Sequence, residues 1–173
     1  MLKKIIIIGP ESTGKSTLCT QLASHFNTRW CPEFAREYLL EHGTDYSYDN
    51  LLTIAKGQWT LENEYAVNTE DLLFVDTDQY VMKVWCEFVF NQCHTWILNR
   101  VADQCADLYL LTNIDLPWVQ DELREYPNEG PRKELYHIYR DILVNQDVPW
   151  VEISGNYEER LKLAISSVSS LLV

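Results

Sequence analysis

Hydrophobic positions along the chain switch repeatedly between two spacings. Short, nearly unbroken apolar runs at Lys4–Ile8, Thr28–Cys31, Leu72–Val75, Leu108–Thr112 and Val148–Ile153 alternate with longer stretches whose apolar residues return every three or four positions. The runs have the length of strands buried on both faces, and the stretches have the period of amphipathic helices. Helices are predicted over Ser16–Phe26, where Leu18, Leu22 and Phe26 share a stripe, and from Pro32 to near Gly43. A longer one is predicted over roughly Tyr48–Asn68, with Leu51, Ile54, Ala55, Trp59 and Tyr65 on or near one stripe. Further helices are expected over Gln79–Phe90, from about Glu134 to Asn145, and over Tyr157–Leu172. Five such strands separated by helices imply a mainly parallel sheet covered on both faces, and right-handed crossovers leave few topologies. The expectation is one three-layer α/β domain over residues 1–173, with its ligand site beyond the carboxyl ends of the strands.

Composition narrows the classes of partner. The 173 residues are 46% hydrophobic and 12% aromatic, which excludes intrinsic disorder. Net charge is −12, from 26 acidic and 14 basic residues, so nucleic acid and anionic membranes are poor partners. A small phosphorylated ligand stays possible, because a nest of backbone N–H groups holds an anion inside an acidic protein. No apolar run approaches the ~20 residues of a membrane span. The opening Met1-Leu2-Lys3-Lys4 leads into a β-branched run without a cleavage site, and a cytoplasmic protein is expected. Five cysteines (Cys19, Cys31, Cys86, Cys93, Cys105) form no C-x-x-C pair and read as reduced, mostly buried thiols. Cys93-His94 has no second pair at a zinc-site spacing.

Two strand ends carry the candidate chemistry. Gly9-Pro10-Glu11-Ser12-Thr13-Gly14-Lys15-Ser16 fits G-x-x-x-x-G-K-[ST] at every fixed position, between a β-branched strand and an amphipathic helix. In such a loop Gly9 and Gly14 let successive N–H groups, those of Ser12 and Thr13 among them, turn inward on a phosphate. The helix that follows, through Thr17, adds its positive end. Lys15 is expected to reach the β- and γ-phosphates of ATP, and Ser16 to offer its hydroxyl to Mg²⁺. Glu11 departs from a neutral loop and either faces a substrate or metal-bound water or points to solvent. Leu72-Leu73-Phe74-Val75-Asp76 resembles a Walker B element, with Asp76 as metal or catalytic acid. Asp78 is either the N-cap of the next helix or the base that orients an attacking hydroxyl. If this third strand neighbours the first, the order is 2-3-1-4-5, by analogy with nucleoside and nucleotide kinases. By the same analogy adenine lies near the turn Gly155-Asn156-Tyr157.

A phosphate loop alone does not define a reaction. A GTPase switch needs Asn-Lys-x-Asp and Asp-x-x-Gly, but the corresponding places read Thr112-Asn113-Ile114-Asp115 and Asp76-Thr77-Asp78-Gln79. An oligomeric motor of the AAA type usually has an added helical lid domain. A small-molecule kinase needs a cationic lid, and Asp115–Lys133 offers Arg124, Arg132 and Lys133 between Pro and Gly hinge positions. Either Arg124 or Arg132 is the candidate for neutralising the transferred phosphoryl group; a solvated loop with surface ion pairs is the bland alternative.

With these features in hand, the chain resembles the ribosylnicotinamide kinase domain of the NadR family. The stretches that carry the resemblance are Gly9–Thr17, Pro32-Glu33-Phe34-Ala35-Arg36-Glu37-Tyr38, Asp76-Thr77-Asp78 and Pro117-Trp118-Val119-Gln120-Asp121-Glu122-Leu123-Arg124. The resemblance implies ATP- and Mg²⁺-dependent phosphorylation of the ribosylnicotinamide 5′-hydroxyl, without the adenylyltransferase domain of that family. A pyridinium substrate favours aromatic faces and carboxylates. Trp118 and Tyr80 are the expected rings, with Asp121, Glu33 and Arg36 as polar contacts. Trp118 is otherwise a core residue, and Arg36 otherwise an ion-pair partner of Glu33 or Glu37. The aromatic-rich stretch Tyr80–Cys93 is expected to border the pocket. The base stays open among Asp76, Asp78 and Glu33, and an ATP-binding module that senses a pyridine nucleotide is the non-enzymatic alternative.

Overall fold

Ile5, Ile6, Ile7 and Ile8 are all fully buried, so the first strand has both faces covered. In the computed structural model, which describes residues 1–119 and 123–172, this strand β1 (Lys3–Ile8) is the centre of a five-stranded parallel sheet. The others are β2 (Arg29–Cys31), β3 (Leu72–Asp76), β4 (Leu108–Thr112) and β5 (Trp150–Ile153). Their order is β2-β3-β1-β4-β5, the order expected by kinase analogy. Ile7 pairs in register with Asp76, which brings the phosphate-loop end of β1 level with the acidic end of β3.

Alternation along β1 sorts the core. Ile5 and Ile7 face a cluster with Leu18 and Leu22 of α1 (Lys15–His25) and Ala164 and Val168 of α7 (Tyr157–Leu171). Ile6 and Ile8 face Val81 and Val84 of α4 (Gln79–Phe90) and Leu135, Tyr139 and Leu143 of α6 (Glu129–Val144). A satellite core joins α2 (Phe34–His42), α3 (Tyr48–Val67), α4 and α5 (Thr95–Asp103) around Leu51, Ile54 and Ile97.

Two helices differ from the sequence reading. α5 was not anticipated, although Ile97 and Val101 repeat at helical spacing and pack with Trp96 into the satellite core. α6 begins at Glu129, five residues before the expected start, so the expected lid ends inside a helix. Gly130 and Pro131 look like breakers, but they fall in the first turn, where N–H groups have no intrahelical partner. No helix among the described residues is long and apolar enough to cross a membrane.

Gly57 lets α3 lie against α2. A Cβ there would sit 2.1 Å from the Phe34 ring. Gly57→Ala is expected to lower stability by about 1–3 kcal/mol through overpacking, measured as a reduced urea midpoint with unchanged helical circular dichroism.

Candidate active site

The phosphate loop is curled by close approach to β4. Gly9 has φ +145°, and a Cβ on it would lie 2.4 Å from Thr112 Oγ1 and 2.8 Å from Thr112 O. Thr13 is buried; its hydroxyl donates to the Pro10 carbonyl at 2.7 Å and lies 2.7 Å from the Thr112 hydroxyl. Ser12 takes the left-handed conformation (φ +56°), and Gly14, also left-handed, precedes the first turn of α1. Lys15 Nζ donates to Pro10 O at 2.9 Å, which keeps the ammonium over the loop.

A buried arginine that the sequence reading did not single out fastens this loop from below. Arg160 Nε donates to Gly155 O at 2.8 Å, Nη1 to Thr13 O at 2.8 Å and Nη2 to Asn113 O at 2.9 Å. Nη2 also pairs with Asp115, whose other oxygen accepts the Gly155 N–H at 2.5 Å. A signal was present in the sequence: Arg160 occupies the same stripe of α7 as buried Ala164 and Val168, where a charge needs a reason.

Asp76 is fully buried at the tip of β3, and its Oδ2 accepts from the Ser16 hydroxyl at 2.5 Å. Burial raises its pKa, opposed by Lys15 and by the Ser16 hydrogen bond. Its Oδ1 is buried with no hydrogen-bond partner among the described residues. A hydroxyl and an under-satisfied carboxylate side by side fit Mg²⁺, which binds one or two protein oxygens and completes its shell with water and phosphates.

Thr77 then turns left-handed (φ +69°), an outlier for a β-branched residue, and separates the two acids. Asp78 is directed back into the protein. Its Oδ1 accepts from Tyr80 N at 2.9 Å and Val81 N at 3.3 Å, and its Oδ2 from the Tyr109 hydroxyl at 3.0 Å. Of the two readings open for Asp78, this geometry is that of an N-cap.

A cleft of about 230 Å³ opens over the loop and is lined by Gly9–Thr17. Glu33, Arg36, Thr77, Arg124 and Glu125 also line it, together with the rings of Trp85, Phe88, Tyr126 and Tyr139. Burial pushes the Glu33 carboxyl up to about 7, helped by Asp76 and Glu11 and opposed by Lys15 and Arg36. Glu33 is bracketed by Gln58, itself buried: Gln58 Oε1 accepts from Phe34 N at 2.7 Å and Nε2 donates to Pro32 O at 3.4 Å. Gln58 was not anticipated, since a glutamine within a helical stretch carries no local signal of which loop it will reach.

Several expected site residues lie elsewhere. Tyr80 packs at 5.9 Å from the Tyr109 ring, in the cluster under Ile6 and Ile8, and does not line the cleft. Trp118 is half-buried outside the cleft lining, with its Nε1 unpartnered among the described residues. Two of the bordering rings, Trp85 and Phe88, come from α4, as its aromatic content led one to expect; Tyr126 precedes α6 and Tyr139 lies on it. Asn156 spends its side chain and N–H on a capping box with Glu159, and the neighbouring Tyr157 is the ring that approaches Gly14. Arg132 is buried beside the loop and reaches Ser12 O at 3.4 Å, without lining the cleft. Arg124 does line it and donates to Val119 O. Glu11 lines the cleft, and its carboxylate accepts the N–H groups of Glu125, at 3.0 Å, and Tyr126. Asp121 lies outside the described residues.

A glycine-turned loop at the central strand, a buried acid on the neighbouring strand and this sheet order define a P-loop α/β nucleotide-binding domain. Residues 4–160 match the family model described as an AAA domain, and the chain belongs to that family. It is 27% identical over 99% of its length to the trifunctional NAD biosynthesis/regulator protein NadR of Escherichia coli (strain K12), covering 43% of that protein. The NadR of Salmonella typhimurium is 26% identical over the same share of each chain. The chain thus spans less than half the length of these curated relatives. Among solved structures, NadR in complex with NR superposes with TM-score 0.84 at 24% identity, over 98% of this chain and 49% of that one. NadR with NAD and AMP-PNP gives 0.78 at 25% over the same shares. A deoxyadenosine kinase from M. mycoides gives 0.65 at 15%, over 96% and 99%. At such identities the NR complex and the deoxyadenosine kinase speak for the fold.

The capping role of Asp78 is testable through stability. Asp78→Ala is expected to cost about 1–2 kcal/mol, as cap removal does, and Asp78→Asn much less. Burial holds the Asp78 pKa at about 7, against roughly 3.9 unfolded. The folded state therefore binds the extra proton between these values, and stability declines as pH rises from about 4 to about 7. Urea midpoints across that window should fall less steeply for Asp78→Asn than for the wild type.

Proposed function

We propose that the chain is an ATP-dependent kinase acting on ribosylnicotinamide, transferring the γ-phosphoryl group to its 5′-hydroxyl to give nicotinamide mononucleotide. The observation that carries this reading is a single cleft lined by a phosphate loop, four aromatic rings and a half-buried carboxyl. The NAD-biosynthesis naming of the relatives and the NR bound to one of them support the same substrate.

On this reading the loop amides, Lys15 and the first turn of α1 hold the phosphates of ATP, with Ser12, Thr13 and Thr17 contributing from the loop and its helix. Ser16 and Asp76 would hold Mg²⁺, which supplies charge neutralisation at the β- and γ-phosphates. Trp85, Phe88, Tyr126 and Tyr139 embrace the pyridinium ring by cation–π contact, and the carboxylates nearby favour its charge. Arg36 serves as a polar contact to the ribose or carboxamide. Glu33 is the base. The nucleoside 5′-oxygen forms its bond to the γ-phosphorus as the bond to the ADP oxygen breaks, and the hydroxyl proton passes to the Glu33 carboxylate. Arg124, facing the cleft, neutralises the transferring group, and Arg132 holds the loop backbone from behind. Positioning and charge stabilisation supply most of the rate. The five free thiols accord with a reducing compartment such as the cytoplasm, and residues 1–173 act as one kinase domain.

A panel of nucleosides with ATP and Mg²⁺, read by product formation, tests the reading. Ribosylnicotinamide is expected to turn over best; binding without turnover would point to a sensor and remove the kinase assignment. Lys15→Ala should retain the fold by circular dichroism and lose at least about 100-fold in kcat/KM, in line with removal of a preorganised transition-state contact.

Because Glu33 must be ionised to accept the proton, kcat/KM should rise with pH and level off above about 7. Glu33→Gln should abolish that limb together with most of the turnover. An unchanged pH profile in this variant would assign the limb to another group.

A further inference from the structure

The rings that line the cleft do not stand alone. Trp85 Nε1–H donates to the Tyr46 hydroxyl oxygen at 2.8 Å. The Tyr46 hydroxyl donates in turn to Glu125 Oε2 at 2.9 Å. The backbone N–H of Glu125 donates to Glu11 Oε2 at 3.0 Å, and that of Tyr126 to Glu11 Oε1. Four segments distant in sequence are joined by this path: α4, the turn between α2 and α3, the strap between β4 and α6, and the phosphate loop. Trp85, Glu125 and Glu11 line the cleft, whereas Tyr46 stands behind it.

The geometry points to Tyr46 as a positioning residue that latches residues 125–126 across the cleft and couples the rings to the phosphate loop. A hydroxyl has one proton and two lone pairs. Tyr46 gives the proton to Glu125 and takes the indole N–H, so its orientation requires Trp85 and the strap to be in place together. Its ring is fixed edge-on to Trp85, at 5.0 Å between centroids and 78° between planes, and near Phe90 at 6.3 Å. A ring held this way has little freedom to turn its hydroxyl elsewhere. Glu11 completes the connection: as part of the phosphate loop it grips the same strap by two backbone N–H groups. Whatever orders the loop thereby orders the strap, and through Tyr46 sets the indole.

This inference rests on the nucleoside-kinase reading for the ligands it couples, though the latch itself is a property of the protein without ligands. Two measurements separate the two. First, amide hydrogen exchange at Glu125 and Tyr126 in the ligand-free protein should quicken about tenfold in Tyr46→Phe, the size of one lost hydrogen bond to a charged group. Glu125→Ala should do the same from the other side of the bond, and Glu125→Gln, which keeps an acceptor oxygen, should restore slow exchange. Second, calorimetric affinity for ribosylnicotinamide should improve when AMP-PNP is present in the wild type. Tyr46→Phe should lose that improvement while binding AMP-PNP alone as the wild type does. Unchanged exchange at both amides in Tyr46→Phe, or a nucleoside affinity reduced equally with and without AMP-PNP, would overturn the latch. A wild type that binds no nucleoside would instead sink the kinase reading, and the ligand-free exchange would still judge Tyr46.

Discussion

The interaction on which the site most depends is the buried guanidinium of Arg160. A parallel sheet brings the carboxyl ends of β1, β4 and β5 to one edge, but its ladder stops where the loops begin. Beyond that edge Arg160 takes over: one side chain holds the carbonyls of Thr13, Asn113 and Gly155 and the carboxylate of Asp115. A guanidinium stays charged under all working conditions and carries five donors in a fixed fork. Burying it is tolerable only when those donors meet acceptors at the right angles, so the group demands one mutual arrangement of three loops. Thr13, held at its carbonyl from below and at its hydroxyl by Pro10 and Thr112, has no freedom to drift. The curl of loop amides is thus preformed, which is what anion binding by backbone N–H groups requires.

The neighbouring carboxylates show how two similar residues acquire opposite tasks. Asp76 and Asp78 are two positions apart and both fully buried. The left-handed turn at Thr77 faces the first toward Ser16 and leaves one oxygen without a hydrogen-bond partner among the described residues, while the second is consumed by two N–H groups and a phenol. Glu33 lies between these extremes. Gln58 fixes the backbone on either side of it but leaves its side chain facing the cleft, and burial among like charges leaves its carboxyl readily protonated.

Features encoded within a few consecutive residues were legible in the sequence. The phosphate loop, the apolar run ending in Asp76 and all five strands are of this kind, because strand burial and loop curl are set by local pattern. The order of the strands was reached through kinase analogy, since nothing in β3 itself says that it lies beside β1. What local pattern does not contain is which way a side chain faces once helices pack. Trp118 and Trp85 are equally aromatic on paper, yet of the two it is Trp85, on α4, that lines the cleft. Asp78 and Asn156 carry good chemistry for a site, and both were claimed by the helix that starts beside them. Glu11 illustrates the longest reach: its partners are more than a hundred residues away, in a strap whose path is set by where α6 begins. Arg160 was the one distant contact with a visible trace, a charge on an otherwise apolar stripe.

Charge completes the account of how one cleft serves both an anion and a cation. A chain with net charge −12 repels anions at a distance and attracts cations. Its phosphate loop must therefore work at short range, through amides, a helix terminus and Lys15, whose effects fade within a turn of the helix or a Debye length. The rings share the cleft with Glu33, Glu125 and Glu11, carboxylates that carry the sign of the whole surface. An anion and a cation entering the same cleft are thus sorted before contact: the field favours the cation, and only the preformed loop holds the anion. The loop's rigidity, and so the burial of Arg160, is what allows an acidic protein to grip a polyphosphate at all.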